Sequence, residues 1–163
     1  MHSYLIALGS NMRVPGVGLP RKVLEHAIAA LDDAGLDVRA VSPVIDSAPV
    51  GPSQRRYANA ATVIETRHLP DDLLRLLQGL EHDFGRDRRG QRWRPRPLDI
   101  DIILWSGGIW ASDALQIPHP RFRERAFVLG PASSIAPIWR DPLSGNSVTQ
   151  LQRRLTRGRP LPR

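Results

Sequence analysis

The chain has 163 residues, 41% hydrophobic and 6% aromatic, which suits one domain around one core. It has no cysteine, so disulfides and thiolate metal sites are excluded, and no stretch approaches the ~20 apolar residues of a membrane helix. The net charge of +7 is carried almost wholly by arginine, Lys22 being the sole lysine, and points to an anionic partner: nucleic acid, a phosphate ligand or an acidic surface.

The N-terminus, MHSYLIALGS, lacks the charged start, long apolar run and small-residue cleavage site of a secretory leader, and a cytoplasmic protein is expected. Tyr4, Ile6 and Leu8 alternate with Leu5 and Ala7 as in a buried first strand that ends at Gly9-Ser10-Asn11. After a Pro/Gly loop over 14–19, Pro20 suits the first turn of a helix with the stripe Leu24, Ala27, Ile28 and Leu31. Residues 36–46 read as one second strand, and 47–52 as a stiff Pro/Gly loop. A third strand is predicted over 57–66. Pro70, Asp71 and Asp72 then open a second helix with the stripe Leu73, Leu76, Leu77, Leu80 and Phe84. An arginine-rich loop over 86–97 leads into the most strand-like run, 98–105. Beyond it come a turn at Gly107-Gly108, a Pro-His-Pro segment, a short helical region near 121–134 and a basic tail.

The order β-α-β-β-α-β predicts an α+β, ferredoxin-like fold: an antiparallel sheet with helices packed on it. A single domain is expected over 1–152, with 153–163 a loosely ordered tail.

The chemistry concentrates at Asp99-Ile100-Asp101-Ile102-Ile103. Residues two apart on a strand share a face, so Asp99 and Asp101 present paired carboxylates while Ile100 and Ile102 pack the other way. Two such carboxylates repel unless a cation lies between them, and hard oxygen donors with open positions suit magnesium held jointly with phosphates. Just upstream, Arg86, Arg88, Arg89, Arg92, Arg94 and Arg96 crowd a segment whose like charges, Pro and Gly disfavour a helix. That run reads as a mobile lid that orders on polyphosphate, with Trp93 covering a flat ring or sealing out water. Neither a P-loop nor a protein-kinase set is present. For His119, wedged between two prolines, a structural role and an ATP contact stay open. No general base stands out.

Together these motifs resemble the 6-hydroxymethyl-7,8-dihydropterin pyrophosphokinases. The most specific stretch runs from Arg92-Trp93-Arg94-Pro95-Arg96 through Pro97-Leu98-Asp99-Ile100-Asp101-Ile102. It is supported by Ala7-Leu8-Gly9-Ser10-Asn11, Pro49-Val50-Gly51-Pro52, Tyr57-Ala58-Asn59-Ala60, Glu81-His82-Asp83-Phe84-Gly85-Arg86 and Ile117-Pro118-His119-Pro120. The resemblance implies transfer of the β,γ-pyrophosphoryl group of ATP to a pterin hydroxymethyl oxygen, with release of AMP. It implies two Mg2+ ions on Asp99 and Asp101, with Arg86 and Arg96 acting alongside them as catalytic groups. It also implies ATP contacts at Gln78, Glu81, Arg86, Arg88, Trp93, Arg96, Ile102, His119 and Arg125. For the pterin it implies Ser47, Val50, Tyr57, Asn59, Trp93, Asp99 and Phe127, with Tyr57 and Phe127 sandwiching the ring. Small-molecule substrates, no nucleic acid, no membrane and a monomer are expected on this basis. Arg94 and Pro120 depart from the family pattern, which commonly has a small residue and an aromatic there, and the loop after Asn11 is longer. A basic nucleic-acid-binding module of the same fold and a paralogue with altered pterin activity are the competing readings.

Overall fold

The computed structural model describes residues 1–47, 56–85 and 97–158. Strand β1 (His2–Ser10) lies at the centre of an antiparallel sheet, paired with β4 (Tyr57–Thr66) on one side and β5 (Asp99–Trp105) on the other. Strand β2 (Asp37–Val41) lies outside β4, and β3 (Ile45–Ser47) pairs with the beginning of β4. The order β2-β4-β1-β5, with the helices α1 (Pro20–Asp33) and α2 (Pro70–Asp83) between strands, is the predicted ferredoxin-like arrangement.

Both faces of the sheet are covered. On one face Tyr4, Ile6, Leu8, Ile100 and Ile102 meet Val23, Leu24, Ala27 and Leu31 of α1 and Leu73 and Leu77 of α2. On the other, Leu5, Ala7, Ala61, Ile103 and Leu104 meet two further helices, α3 (Ala126–Ile135) and α4 (Val148–Thr156). Burial on two sides is why β1 reads as an unbroken apolar run from Tyr4 to Leu8.

Three elements differ from the sequence expectation. The strand expected over 36–46 is two strands. Ser42 donates its N–H to Ala61 O (2.9 Å), and its hydroxyl accepts the Ala61 N–H (2.8 Å). A side chain thus takes over a rung of the ladder, Pro43 has no N–H to offer the next one, and pairing resumes at Ile45. The helical region near 121–134 is a short 3-10 turn (Phe122–Glu124) followed by α3, with the extended backbone of Arg125 between them. The boundary expected at 152 falls inside α4. That helix begins with a Ser147/Gln150 capping box and buries Val148 and Leu151, so residues 153–156 are helical, while 159–163 lie outside the described residues. The turn region after β5 also holds a small hairpin, β6 (Trp110–Ala111) with β7 (Gln116–Ile117). It is tied to α2 by bonds from Trp110 Nε1 (3.0 Å) and Ser112 Oγ (2.8 Å) to Asp71.

Candidate functional site

Strand β5 is an edge strand, and its first half separates two environments. Ile100 and Ile102 point into the α1/α2 core, so alternation turns Asp99 and Asp101 to the opposite face, where both are half-buried. In register, Gly9 stands between Asp99 on one side and Asn59 on the other, and Ala7 stands between Asp101 and Ala61. The floor of the site is therefore made of small residues, with the carboxylates along one rim and the buried Asn59 along the other. A Cβ on Gly9 would lie 3.3 Å from Asn59 Oδ1, so the absence of a side chain lets the amide lie across the sheet. In the sequence Gly9 reads as a strand end and as part of a family motif, with no role in the site. Its partners lie about 50 and 90 positions away along the chain, and only the register reveals its place.

Tyr57 is on the same face as Asn59, two residues earlier on β4, and Ser47 at the end of β3 is its register partner. Phe127, in the first turn of α3, is half-buried over this face, with the Arg125 guanidinium 5.7 Å from its ring centroid. Arg125 also approaches the carboxylates, its Nη1 lying 3.9 Å from Asp101 Oδ2. His119 reaches the same oxygen with Nε2 at 4.0 Å, while its backbone N–H donates to Ile103 O (3.0 Å). Burial, and then the nearby Arg125, push the imidazole down to about 4; Asp99 opposes this and Arg121 adds to it. His119 is therefore neutral near pH 7. Its Nδ1 accepts the Arg121 N–H (3.1 Å), which leaves the ring proton on Nε2, facing Asp101. His119 thus braces β5 through its backbone and turns its Nε2–H toward Asp101.

Along the outer edge of β5, Glu81 of α2 is 3% exposed and accepts the Ile100 N–H at 3.3 Å. Hydrogen-bonding direction alternates along a strand, so the peptide groups of Ile102 turn to this same edge. Gln78, one turn earlier on α2, is half-buried beside it. Arg86, Arg88, Trp93, Arg96 and Val50, and with them the expected arginine lid, lie outside the described residues. Among the described residues no group of three or more His, Cys, Asp or Glu side chains forms a metal cluster. The cation reading rests on the aspartate pair alone. None of the described helices is long and apolar enough to cross a membrane.

The bulge on β5 completes the wall. Ile6 pairs with Ile102 but Leu5 with Leu104, so one extra residue is accommodated and both Ile103 and Leu104 face the α3/α4 core.

Comparison with known proteins agrees with this geometry. Residues 5–137 match the family described as 7,8-dihydro-6-hydroxymethylpterin-pyrophosphokinase (HPPK). The chain is 37% identical over 151 residues to the 2-amino-4-hydroxy-6-hydroxymethyldihydropteridine pyrophosphokinase of Synechocystis sp., covering 92% of this chain and 74% of that protein. It is 38% identical to the enzyme of the same name from Pseudomonas aeruginosa (84% and 82% covered) and 39% to that from Bacillus subtilis (80% and 75%). Among solved structures, wild-type Plasmodium falciparum HPPK-DHPS superposes with a TM-score of 0.68 at 11% identity over 94% of this chain. The chain spans 44% of the length of that protein, and the likeness speaks for the fold alone.

Proposed function

We infer the reaction from kinship and geometry together: the chain belongs to the 7,8-dihydro-6-hydroxymethylpterin-pyrophosphokinase family, and its activity is ATP-dependent pyrophosphoryl transfer to 6-hydroxymethyl-7,8-dihydropterin in folate biosynthesis. The hydroxymethyl oxygen bonds to the β-phosphorus, the bond from that phosphorus to the oxygen shared with the α-phosphate breaks, and AMP leaves. The observation that carries the residue assignment is the shared face of Asp99, Asp101, Gly9 and Asn59, in which Asp99 lies across a bare glycine from a buried amide and Asp101 stands beside it on the same strand.

Each described side chain then has a role its position supports. The Asn59 amide pairs with the polar edge of the pterin, while Tyr57 and Phe127, from β4 and α3, flank its faces. Ser47 and Val50 complete that recognition. Asp99 and Asp101 suit magnesium, being two hard oxygen donors side by side on one half-buried strand face. Held by these two carboxylates, such ions would supply charge neutralisation for the triphosphate and would lower the pKa of the attacking hydroxyl. Arg125 approaches phosphate from the α3 side, and neutral His119 donates Nε2–H into the same space. The roles of Arg86, Arg88, Trp93 and Arg96 against the polyphosphate come from the family resemblance, since these residues lie outside the described ones. Gln78, Glu81 and the Ile102 backbone line the outer edge of β5, where adenosine lies.

The test is AMP release from ATP and magnesium, with and without 6-hydroxymethyl-7,8-dihydropterin. AMP formed only with the pterin is expected. ADP as the product, or no product from folded protein, would overturn the reading. Asp101→Ala should abolish turnover in this assay, and near-normal activity would remove the metal role.

A further inference from the structure

The turn that carries Arg125 is pinned by a pair of residues outside the site. Arg123, on the 3-10 turn, grips Asp141 with both arms of its fork: Nε donates to Oδ2 at 2.6 Å and Nη2 to Oδ1 at 2.8 Å. Asp141 is fully buried and accepts two further bonds, from Ser144 Oγ at 2.6 Å and from the Leu143 N–H at 3.0 Å. Its backbone is fastened as well, the N–H donating to Asn146 O and the C=O accepting from the Gly145 N–H, both at 2.8 Å. This turn runs straight into the capped start of α4, which Val148 and Leu151 anchor in the core. Asp141 is therefore a fixed post.

Two residues after Arg123 the chain leaves the 3-10 turn, and Arg125 O accepts the first bonds of α3, from Val128 and Leu129, both at 3.0 Å. Phe122 is buried beneath. The two arginines thus leave one short turn for different destinations, Arg123 toward the post and Arg125 toward Asp101. Arg125 Nη1 stands 3.9 Å from Asp101 Oδ2.

We propose that the Arg123–Asp141 pair is a positioning unit for the transfer reaction, fixing the turn from which Arg125 reaches the site to meet phosphate oxygens. The inference rests on the roles proposed above for Asp101 and Arg125. Planar two-point contact is what fixes the orientation of the turn, and a lysine at 123 would keep the charge but hold by a single point. Arg123 is a positioning residue here, since it reaches the site only through Arg125.

A double-mutant cycle tests this. Arg123→Lys is made in the parent and in an Arg125→Ala background; magnesium–ATP affinity is measured by calorimetry, and kcat and KM by AMP release. In the parent, kcat/KM for ATP should fall by about tenfold with KM for the pterin unchanged, as expected of a sub-ångström to ångström misplacement. In the Arg125→Ala background the same change should cost less than about twofold, because the residue being positioned is gone. Equal losses in both backgrounds, or no loss in the parent, would overturn the proposal and leave the pair as a structural brace. Should Arg123→Lys fail to fold, Asp141→Asn carried through the same cycle is judged by the same criterion. If the parent releases no AMP with pterin, the reaction assigned above fails, while the calorimetric half of the cycle still decides whether Arg123 acts through Arg125.

Discussion

Acid should expose the stability held by Asp141. Burial alone would push this carboxyl up, but bonds from Arg123, Ser144 and the Leu143 N–H outweigh it and hold the group at about 2, against an ordinary value of 3.8. A carboxylate depressed in the folded state stabilises fully above its unfolded value and loses that contribution as pH falls through its folded value. The window therefore runs from about pH 4 down to about pH 2. A gap of this size is worth about 2 kcal/mol. Because the side chain is fully buried, little of this is screened by solvent. At pH 6 Asp141→Asn should be less stable than the parent by about 2 kcal/mol, lowering the melting temperature by roughly 4–8 °C for a chain of this length. Urea unfolding across a pH series, with the exposed Asp33→Asn as a control for lost charge, measures the difference directly. The gap between parent and Asp141→Asn should close as pH falls from 4 to 2. A gap that stays constant over that range, or that is absent at pH 6, would refute the linkage.

Gly9→Ala should leave the fold intact but displace the Asn59 amide, raising KM for the pterin several-fold at most, the worth of about one neutral hydrogen bond; an unchanged pterin KM would remove Gly9 from the floor of the site. Gly107→Ala should destabilise the protein by about 1–3 kcal/mol. Its Cβ would fall 2.3 Å from the Trp105 ring, which packs edge-on against Trp110, and an unchanged unfolding midpoint would contradict that packing. Tyr4→Phe should cost about 1 kcal/mol, since the buried hydroxyl donates to His68 O at 2.7 Å. Its phenol is raised to about 12, mainly by burial, so absorbance titration should find the Tyr4 phenolate missing up to pH 11 while the protein stays folded.

Local periodicity made most of the scaffold legible. The stripes of α1 and α2 are helical in period, β4 alternates little but is rich in small and branched residues, and two aspartates two apart on a strand announce their shared face without tertiary information. Less regular elements stayed hidden. Helix α4 buries only Val148 and Leu151, too short a stripe to stand out among arginines. The break between β2 and β3 depends on a hydroxyl bonding to Ala61, 19 positions later. The contact of Arg123 with Asp141 spans 18 positions and has no periodic trace. The shared face of Asp99 and Asp101 was readable from spacing, whereas the place of Gly9 emerged only once β4 and β5 were laid on either side of it.

The bulge in β5 gives this strand a reading frame. Upstream of it, odd-numbered positions face α3 and even ones face the first two helices; downstream the assignment is inverted, so that Trp105 points where Ile102 does. Polar chemistry and apolar packing can therefore follow one another along a single face of seven residues. The cost is intolerance to length change. Losing one residue between 102 and 104 would rotate either the aspartates into the core or Trp105 out of it, whereas a change of length in the turn at 106–109 lies beyond the frame and leaves both faces of β5 in place, even though Gly107 itself is packed against Trp105. Among related chains, insertions should collect in that turn and be missing from the seven residues before it.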